Sequence, residues 1–372
     1  MRRDFVGKYK LLFLLSAVFI AAAIFVFSFF WKIRDITPSV APQPPVVVSS
    51  TLFTPLPETP AEEEEKLLAT SFLFVGDVML GRYVETLMNQ KGSGYPFEKV
   101  TDLFSFYDTV IANLEGPIVV AHEQTPNNSL QFSFHPSVAQ VLAENAIDAV
   151  SLANNHTFDQ GEEAFEDMTL ILDRASVGYF GHPRDPLAGD VFIDEFVGDT
   201  LLLGFGFHAT SSRFDVDVAA RQIQEGREKN PDDFLVVSVH WGNEYQLHSN
   251  ASQQKWAHQF IDAGADLVIG HHPHVVQEVE LYNNHLIFYS LGNFIFDQYF
   301  SYDTQQELAV GLDPDQEQLT FKLFPLQSER SQPRRMTEDE ATSFLKKLAE
   351  RSSESLSEQI KAGIITLDRQ EL

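Results

Sequence analysis

With 372 residues, 44% of them hydrophobic, the chain is long enough for one large domain or two ordinary ones with a sizeable core. It contains no cysteine, which excludes disulfides, thiolate metal sites and thiol nucleophiles together. The formal charge is −27, and residues 1–10 carry +3, so the remainder carries −30. That excludes nonspecific binding to nucleic acid or anionic lipid, and a polyanionic substrate needs a metal or a local basic patch to approach.

Residues 1–10 read as a cytoplasmic tail holding Arg2, Arg3, Lys8 and Lys10. Leu11–Trp31 follows as an uncharged, mostly apolar stretch, and about 20 such residues span a bilayer core. The basic flank orients it with the N-terminus in the cytoplasm and everything after Trp31 outside. A cleaved signal peptide would end near Ala21-Ala22-Ala23, but Ile24–Trp31 continues apolar beyond that point. The expectation is an uncleaved signal anchor of the cell membrane. Residues 32–68 read as a tether: Pro38, Pro42, Pro44, Pro45, Pro55, Pro57 and Pro60 forbid a helix. At ~3 Å per residue such a linker reaches roughly 100 Å at full extension. Glu62–Glu65 at its end reads as a solvated charge run or a first helical turn.

From about Ser71 apolar strands alternate with amphipathic helices, and residues 69–330 read as the folded domain. Helices are expected over 138–145, 162–175, 215–229 and 252–263, with strands at 178–180 and 201–207 among others. This alternation predicts a mainly parallel sheet with helices packed on it. Residues 285–289 and 319–324 read as antiparallel strands that complete a sheet. Thr337 and Glu340 form a capping box for a helix over 338–351, within a C-terminal segment 331–372 whose last residues are either docked or frayed.

Five apolar runs stop directly before residues of metal-ligand type. They end at Gly76-Asp77, at Asn113-Leu114-Glu115, at Asn154-Asn155-His156, at His240-Trp241-Gly242 and at Gly270-His271-His272-Pro273-His274. In an open α/β sheet, ligands bind beyond the carboxyl ends of the strands, so these five ends converge. Taken alone, Asp77 and Glu115 read first as turn or cap residues and His240 as a core histidine; it is the set together that points to ligands. Asn155 offers a carbonyl oxygen, with the adjacent His156 free to face substrate, oriented by Asp159 or Asn154. His272-Pro273-His274 places two imidazoles on one side of an extended turn, with His271 in a supporting position. Imidazole with carboxylate and amide oxygen suits zinc, manganese or iron, and the set suits one or two such ions. Arg82 is either a contact for an anionic substrate group or a surface arginine. Asn293, in Ser290-Leu291-Gly292-Asn293-Phe294, either lines the pocket rim or makes a turn at a sheet edge.

Six motifs in this order resemble the CapA family of bacterial capsule synthesis proteins, associated with poly-γ-glutamate and related to the calcineurin-like metallophosphoesterases. They are Gly76-Asp77-Val78-Met79-Leu80-Gly81-Arg82, Ala112-Asn113-Leu114-Glu115-Gly116-Pro117, Leu152-Ala153-Asn154-Asn155-His156, His240-Trp241-Gly242-Asn243-Glu244-Tyr245, Gly270-His271-His272-Pro273-His274 and Tyr289-Ser290-Leu291-Gly292-Asn293-Phe294. The resemblance covers roughly residues 71–300. It implies a four-layer α/β/β/α sandwich, tethered outside the cytoplasmic membrane. It further implies that Asp77 and His274 hold one metal, that Asn155, His240 and His272 hold a second, and that Glu115 bridges them. His156 would then be the acid or transition-state donor. Two departures stand out: the phosphoesterase pattern has a histidine where this chain has Met79, and an aspartate where it has Glu115. The first metal position is therefore one ligand short.

Three functions remain in view from the sequence. One is a metal-dependent hydrolase of a cell-surface polymer or its precursor. Another is a non-catalytic anchoring or export subunit that works with other capsule synthesis subunits on an anionic polymer. The third is a plain metallophosphatase.

Overall fold

The computed structural model describes residues 69–372, apart from 186 and 188–190. The expected cytoplasmic tail, the anchor at Leu11–Trp31 and the whole Pro-rich linker at 32–68 lie outside the described residues. Among the described residues, no helix is long and apolar enough to cross a membrane.

The chain runs through β1 (Phe72–Val78), α1 (Arg82–Lys91), β2 (Thr109–Leu114), α2 (Ser137–Glu144), β3 (Ala149–Ser151), α3 (Glu162–Ala175) and β4 (Gly178–Phe180). It continues through β5 (Phe192–Glu195), β6 (Leu201–His208), α4 (Val216–Lys229), β7 (Phe234–His240), α5 (Ala251–Asp262) and β8 (Leu267–His271). The remainder comprises β9 (Val279–Tyr282), β10 (His285–Phe288), β11 (Asn293–Ile295), β12 (Gln306–Pro314), β13 (Gln318–Ser328), β14 (Pro333–Arg335), α6 (Glu338–Arg351), α7 (Ser357–Ala362) and β15 (Ile364–Asp368).

Two sheets result. The first has the order β14-β13-β12-β1-β2-β3-β4, with β11 also pairing β1 and β15 pairing β13; the second has the order β5-β6-β7-β8-β10-β9. In the first sheet β1 to β4 are parallel, whereas β12 to β15 are antiparallel additions. In the second, β6, β7, β8 and β10 are parallel.

Side-chain alternation sorts the apolar residues into three clusters, because successive residues of a strand face opposite sides. Phe72 and Phe74 of β1 meet Val236 of β7, Leu267 and Ile269 of β8, and Phe344 and Leu348 of α6 between the sheets. Leu73 and Val75 of β1 face the other way, onto Val84 of α1, Leu142 of α2 and Leu172 of α3. Val237 of β7 and Val268 of β8 pack on Ile223 of α4 and Phe260 of α5. The outcome is an α/β sandwich whose shared core lies between two sheets.

The expected antiparallel strands are present, in different sheets: β13 pairs antiparallel with β12, and β10 with β9. β10 is parallel to β8 and antiparallel only to β9. The reason is the turn at Asn283-Asn284, where both residues have positive φ (49° and 67°). Such a two-residue hairpin reverses the chain after β9, so β10 again runs in the direction of β8. The helix over 338–351 is present, with Thr337 and Glu340 making a reciprocal capping box.

Two glycines mark where backbones touch at the site. A Cβ on Gly76 would lie 2.0 Å from the carbonyl oxygen of Gly292, and one on Gly270 would lie 2.0 Å from that of Tyr289. Each glycine directly precedes a candidate ligand segment, Asp77 or His271-His272. The close approach draws the loop 290–293 in beside both.

Candidate metal centre

The strand ends do converge. Asp77 lies at the end of β1, Glu115 just past β2, Asn155 and His156 past β3, His240 at the end of β7, and His272 and His274 past β8. Asp77, Glu115, His240, His272 and His274 are all buried.

Asp77 sits at the centre of a polar network. Its Oδ1 accepts a 2.8 Å hydrogen bond from Asn113 Nδ2, and its Oδ2 accepts one of 3.3 Å from the His272 backbone N–H. His271 Nδ1 lies 3.3 Å from Oδ1 and His274 Nδ1 lies 3.4 Å from Oδ2. Burial opposes ionisation of this carboxyl, yet the imidazoles of His271 and His274 hold it well below the usual carboxylate value.

Glu115 is the opposite case. It is wholly buried, neither carboxyl oxygen has a hydrogen-bond partner, and Oε1 faces His156 Nε2 at 3.7 Å and His274 Nε2 at 3.8 Å. Burial pushes its carboxyl well above the ordinary range, against the pull of His274. A buried carboxyl with no hydrogen bond is costly, and a cation among Asp77, Glu115 and the imidazoles would remove that cost.

His240 Nε2 lies 2.7 Å from Asn155 Oδ1, and its Nδ1 lies 3.4 Å from Asn113 Nδ2. Burial and the adjacent His272 keep this imidazole well below its ordinary pKa. Burial and His274 likewise lower His272, to about 4. Burial also opposes the charge on His274, but Glu115 and Asp77 outweigh it and raise that imidazole to about 9. His274 Nδ1 is further engaged by Asn293 Oδ1 at 2.9 Å, which leaves Nε2 to face Glu115. Among the described residues, two three-residue groups have ligand atoms within 4.8 Å of one another: Asp77 with Glu115 and His240, and Glu244 with His272 and His274. The residues present fit divalent metal binding by their donor chemistry and by the orphaned Glu115.

His156 stands at the rim. Its Nδ1 bonds Asp159 Oδ2 at 2.8 Å, its backbone N–H donates to Asn154 Oδ1, and its ring stacks on Phe132 with centroids 4.0 Å apart. Asn154 Nδ2 donates to Asn113 Oδ1 and to the Leu114 carbonyl, so both orienting residues weighed from the sequence are engaged.

A family model described as "Bacterial capsule synthesis protein PGA_cap" matches residues 71–298. The chain belongs to this family. Capsule biosynthesis protein CapA of Bacillus anthracis is 30% identical over 299 residues, covering 74% of this chain and 71% of that protein. PGA biosynthesis protein CapA of Bacillus subtilis strain 168 is 32% identical over 256 residues, covering 65% and 67%. A solved structure of a hypothetical protein from Thermus thermophilus is 21% identical, covers 71% of this chain and 95% of that one, and has a TM-score of 0.43.

Within this family member, Arg82 and Asn293 are not open to a substrate. The guanidinium of Arg82 is nearly buried, pairs with Asp297, donates to the Ser129 carbonyl and lies over the Phe132 ring at 4.7 Å. Asn293 spends its amide on His274, Gln298 and the Thr304 carbonyl. Met79, where the resemblance wants a histidine, is wholly buried in the cluster beneath α1, α2 and α3.

Sequence reasoning passed over three neighbours of the site. His208 ends β6 in register with His240, with ring centroids 5.9 Å apart. The rule that found the other strand ends, an apolar run stopping at a ligand-type residue, applies to Leu201–Phe207 equally well. Glu307 of β12 is wholly buried with both oxygens unpartnered, and burial, then the charge of Asp77, raises its carboxyl well above normal. Glu244 had no signal of its own beyond lying within the His240-Trp241-Gly242 motif.

Proposed function

We propose that this protein is a membrane-anchored, extracytoplasmic, metal-dependent hydrolase acting on a cell-surface polymer or its precursor in capsule or poly-γ-glutamate biosynthesis. The observation that carries the reading is Glu115: a wholly buried carboxyl with two orphaned oxygens, set among Asp77, His240, His274 and His156. Membership in the PGA_cap family and the names of the Bacillus relatives supply the pathway. The sandwich of two sheets suits a fold of metallophosphoesterase type, and the apolar run at residues 11–31 suits a signal anchor. Partners in this reading are the membrane, other capsule synthesis subunits and an anionic polymer.

Asp77, Glu115, Asn155, His240, His272 and His274 would hold one or two divalent ions, with manganese, zinc or iron matching the donors. Bound there, such an ion supplies Lewis acidity and lowers the pKa of water. His156 protonates the leaving group from Nε2, because Nδ1 is committed to Asp159. Arg82 supports this arrangement by packing on Phe132, which in turn stacks on His156.

A second reading, a non-catalytic anchoring or export subunit, draws on Met79 in place of a ligand. One experiment separates the two. The full chain is purified, loaded with manganese or zinc, and offered poly-γ-glutamate and diphenyl phosphate, whose leaving group needs a proton, beside His156→Ala and Asn155→Ala. Metal-dependent cleavage lost in both variants supports the hydrolase. Cleavage of neither compound, with capsule restored in a CapA-deficient host by both variants, supports the scaffold.

A further inference from the structure

The resemblance leaves one metal position a ligand short at Met79, and the structure shows why that residue contributes nothing. Its thioether accepts the Gly81 backbone N–H at 3.2 Å within the apolar cluster, so it faces the helices rather than the site. A replacement donor must come from another element.

We infer that Glu244 is a metal ligand that completes a three-residue position with His272 and His274, so that the ligands divide between two positions differently from the division the resemblance implies. The inference rests on the metal-binding reading above and deepens it. A Glu244 carboxylate oxygen and a ring nitrogen from each histidine lie within 4.8 Å of one another. Ligand atoms about 2.0–2.3 Å from a shared ion stand roughly 3–3.7 Å apart, so a small inward movement of an exposed carboxylate closes the set. The second observation is an unfilled donor: His272 is buried at 8% exposure and its Nδ1 has no hydrogen-bond partner. On His274, Asn293 occupies Nδ1, so Nε2 is the atom left for an ion.

The segment carrying Glu244 is built onto the His-Pro-His turn. The Tyr245 N–H donates to the Pro273 carbonyl at 2.8 Å, and the Trp241 N–H donates to the His271 carbonyl at 3.1 Å. Gln277 Nε2 donates to the Gln246 carbonyl at 2.8 Å. Tyr245, His272 and His274 all hold positive φ, at 62°, 96° and 57°. Such conformations cost energy for residues with a Cβ and persist where surrounding structure enforces them. Here they turn the Glu244 segment and the two imidazoles toward one another. The site then contains two groups, Asp77/Glu115/His240 and Glu244/His272/His274, and neither depends on position 79.

The test is metal stoichiometry and affinity of the full chain, stripped with chelator and titrated with Mn²⁺ by calorimetry and elemental analysis. Wild type is compared with Glu244→Gln, Glu244→His and His240→Ala, with circular dichroism confirming the fold of each. The expected result is two ions in wild type, with one of them at least tenfold weaker in Glu244→Gln and recovered in Glu244→His. His240→Ala should weaken the other. Two ions of unchanged affinity in Glu244→Gln overturn the inference and leave the metal centre standing. No ion in wild type overturns the metal-binding reading, and the inference with it.

Discussion

His240 Nε2 and Asn155 Oδ1 meet at 2.7 Å, and this contact ties the end of β7 in one sheet to the loop after β3 in the other. Burial, with His272 beside it, keeps the imidazole neutral, so Nε2–H donates to the amide oxygen. Both atoms are ligand types, and with the imidazole proton moved to Nδ1 both would be free to hold an ion. Asn155→Ala leaves a buried donor unpaired, which costs about 1–3 kcal/mol in metal-free protein. It also removes an oxygen ligand. Chelator-treated Asn155→Ala should therefore unfold at lower temperature than wild type, and added Mn²⁺ should raise its midpoint less. Equal midpoints with and without metal would remove Asn155 from the ligand set.

The charge state of the metal-free site sets a pH dependence with two opposite slopes. His274 is raised to about 9 by Glu115 and Asp77 against the opposing effect of burial, from an ordinary value of 6.5. A raised histidine contributes stability that is fully present below pH 6.5 and is lost as pH climbs through 9. Metal binding runs the other way, because an ion held by His274 must displace that proton. Thermal unfolding with chelator should show falling stability between pH 6.5 and 9. Over the same interval Mn²⁺ affinity should rise, up to about tenfold per pH unit for each proton released. An affinity flat across that range would show that His274 is not a ligand.

Much of this site was legible because strand ends are local features. An apolar run followed by Asp, Asn or His marks a position on the sheet edge without knowledge of the partner strand, and the order of motifs did the rest. The central strand β12 was not legible, because it opens Gln306-Glu307 and Glu307 is buried against expectation for a carboxylate. The roles of Arg82 and Asn293 were open for a related reason. Whether an arginine faces solvent or a buried aspartate 215 residues away depends on β11 lying beside β1, which no local pattern encodes. The hairpin at Asn283-Asn284 carried a readable turn signal that fixes the direction of β10.

Arg82 and Asp297 form an ion pair with side chains only 10% and 3% exposed. Removing one partner of a buried pair costs about 3–5 kcal/mol, because the other is left uncompensated. Burial already raises the Asp297 carboxyl despite Arg82, so without the guanidinium it would take up a proton and soften the loss. Arg82→Ala should lower the unfolding midpoint substantially at neutral pH and less at pH 5. The Arg82→Ala, Asp297→Ala double variant should recover part of the loss. Additive losses would show that the two residues stabilise the fold independently.

Asp159 holds two partners with one oxygen. Its Oδ2 accepts from His156 Nδ1 at 2.8 Å and from the Phe132 N–H at 2.7 Å, and the Phe132 ring stacks on the same imidazole. Asp159→Ala therefore releases the His156 ring on two sides without touching a residue of the proposed ligand set. If His156 is the general acid, turnover should fall on the order of 10²-fold, within the range that positioned proton transfer supplies. The fall must depend on the leaving group. A p-nitrophenolate departs without protonation, whereas an unsubstituted phenolate gains more from a positioned acid. Comparing p-nitrophenyl and phenyl phosphodiesters should therefore show the greater loss with phenyl, at unchanged metal content. Equal losses on both would assign Asp159 to holding the loop at Phe132 and remove the acid role from His156.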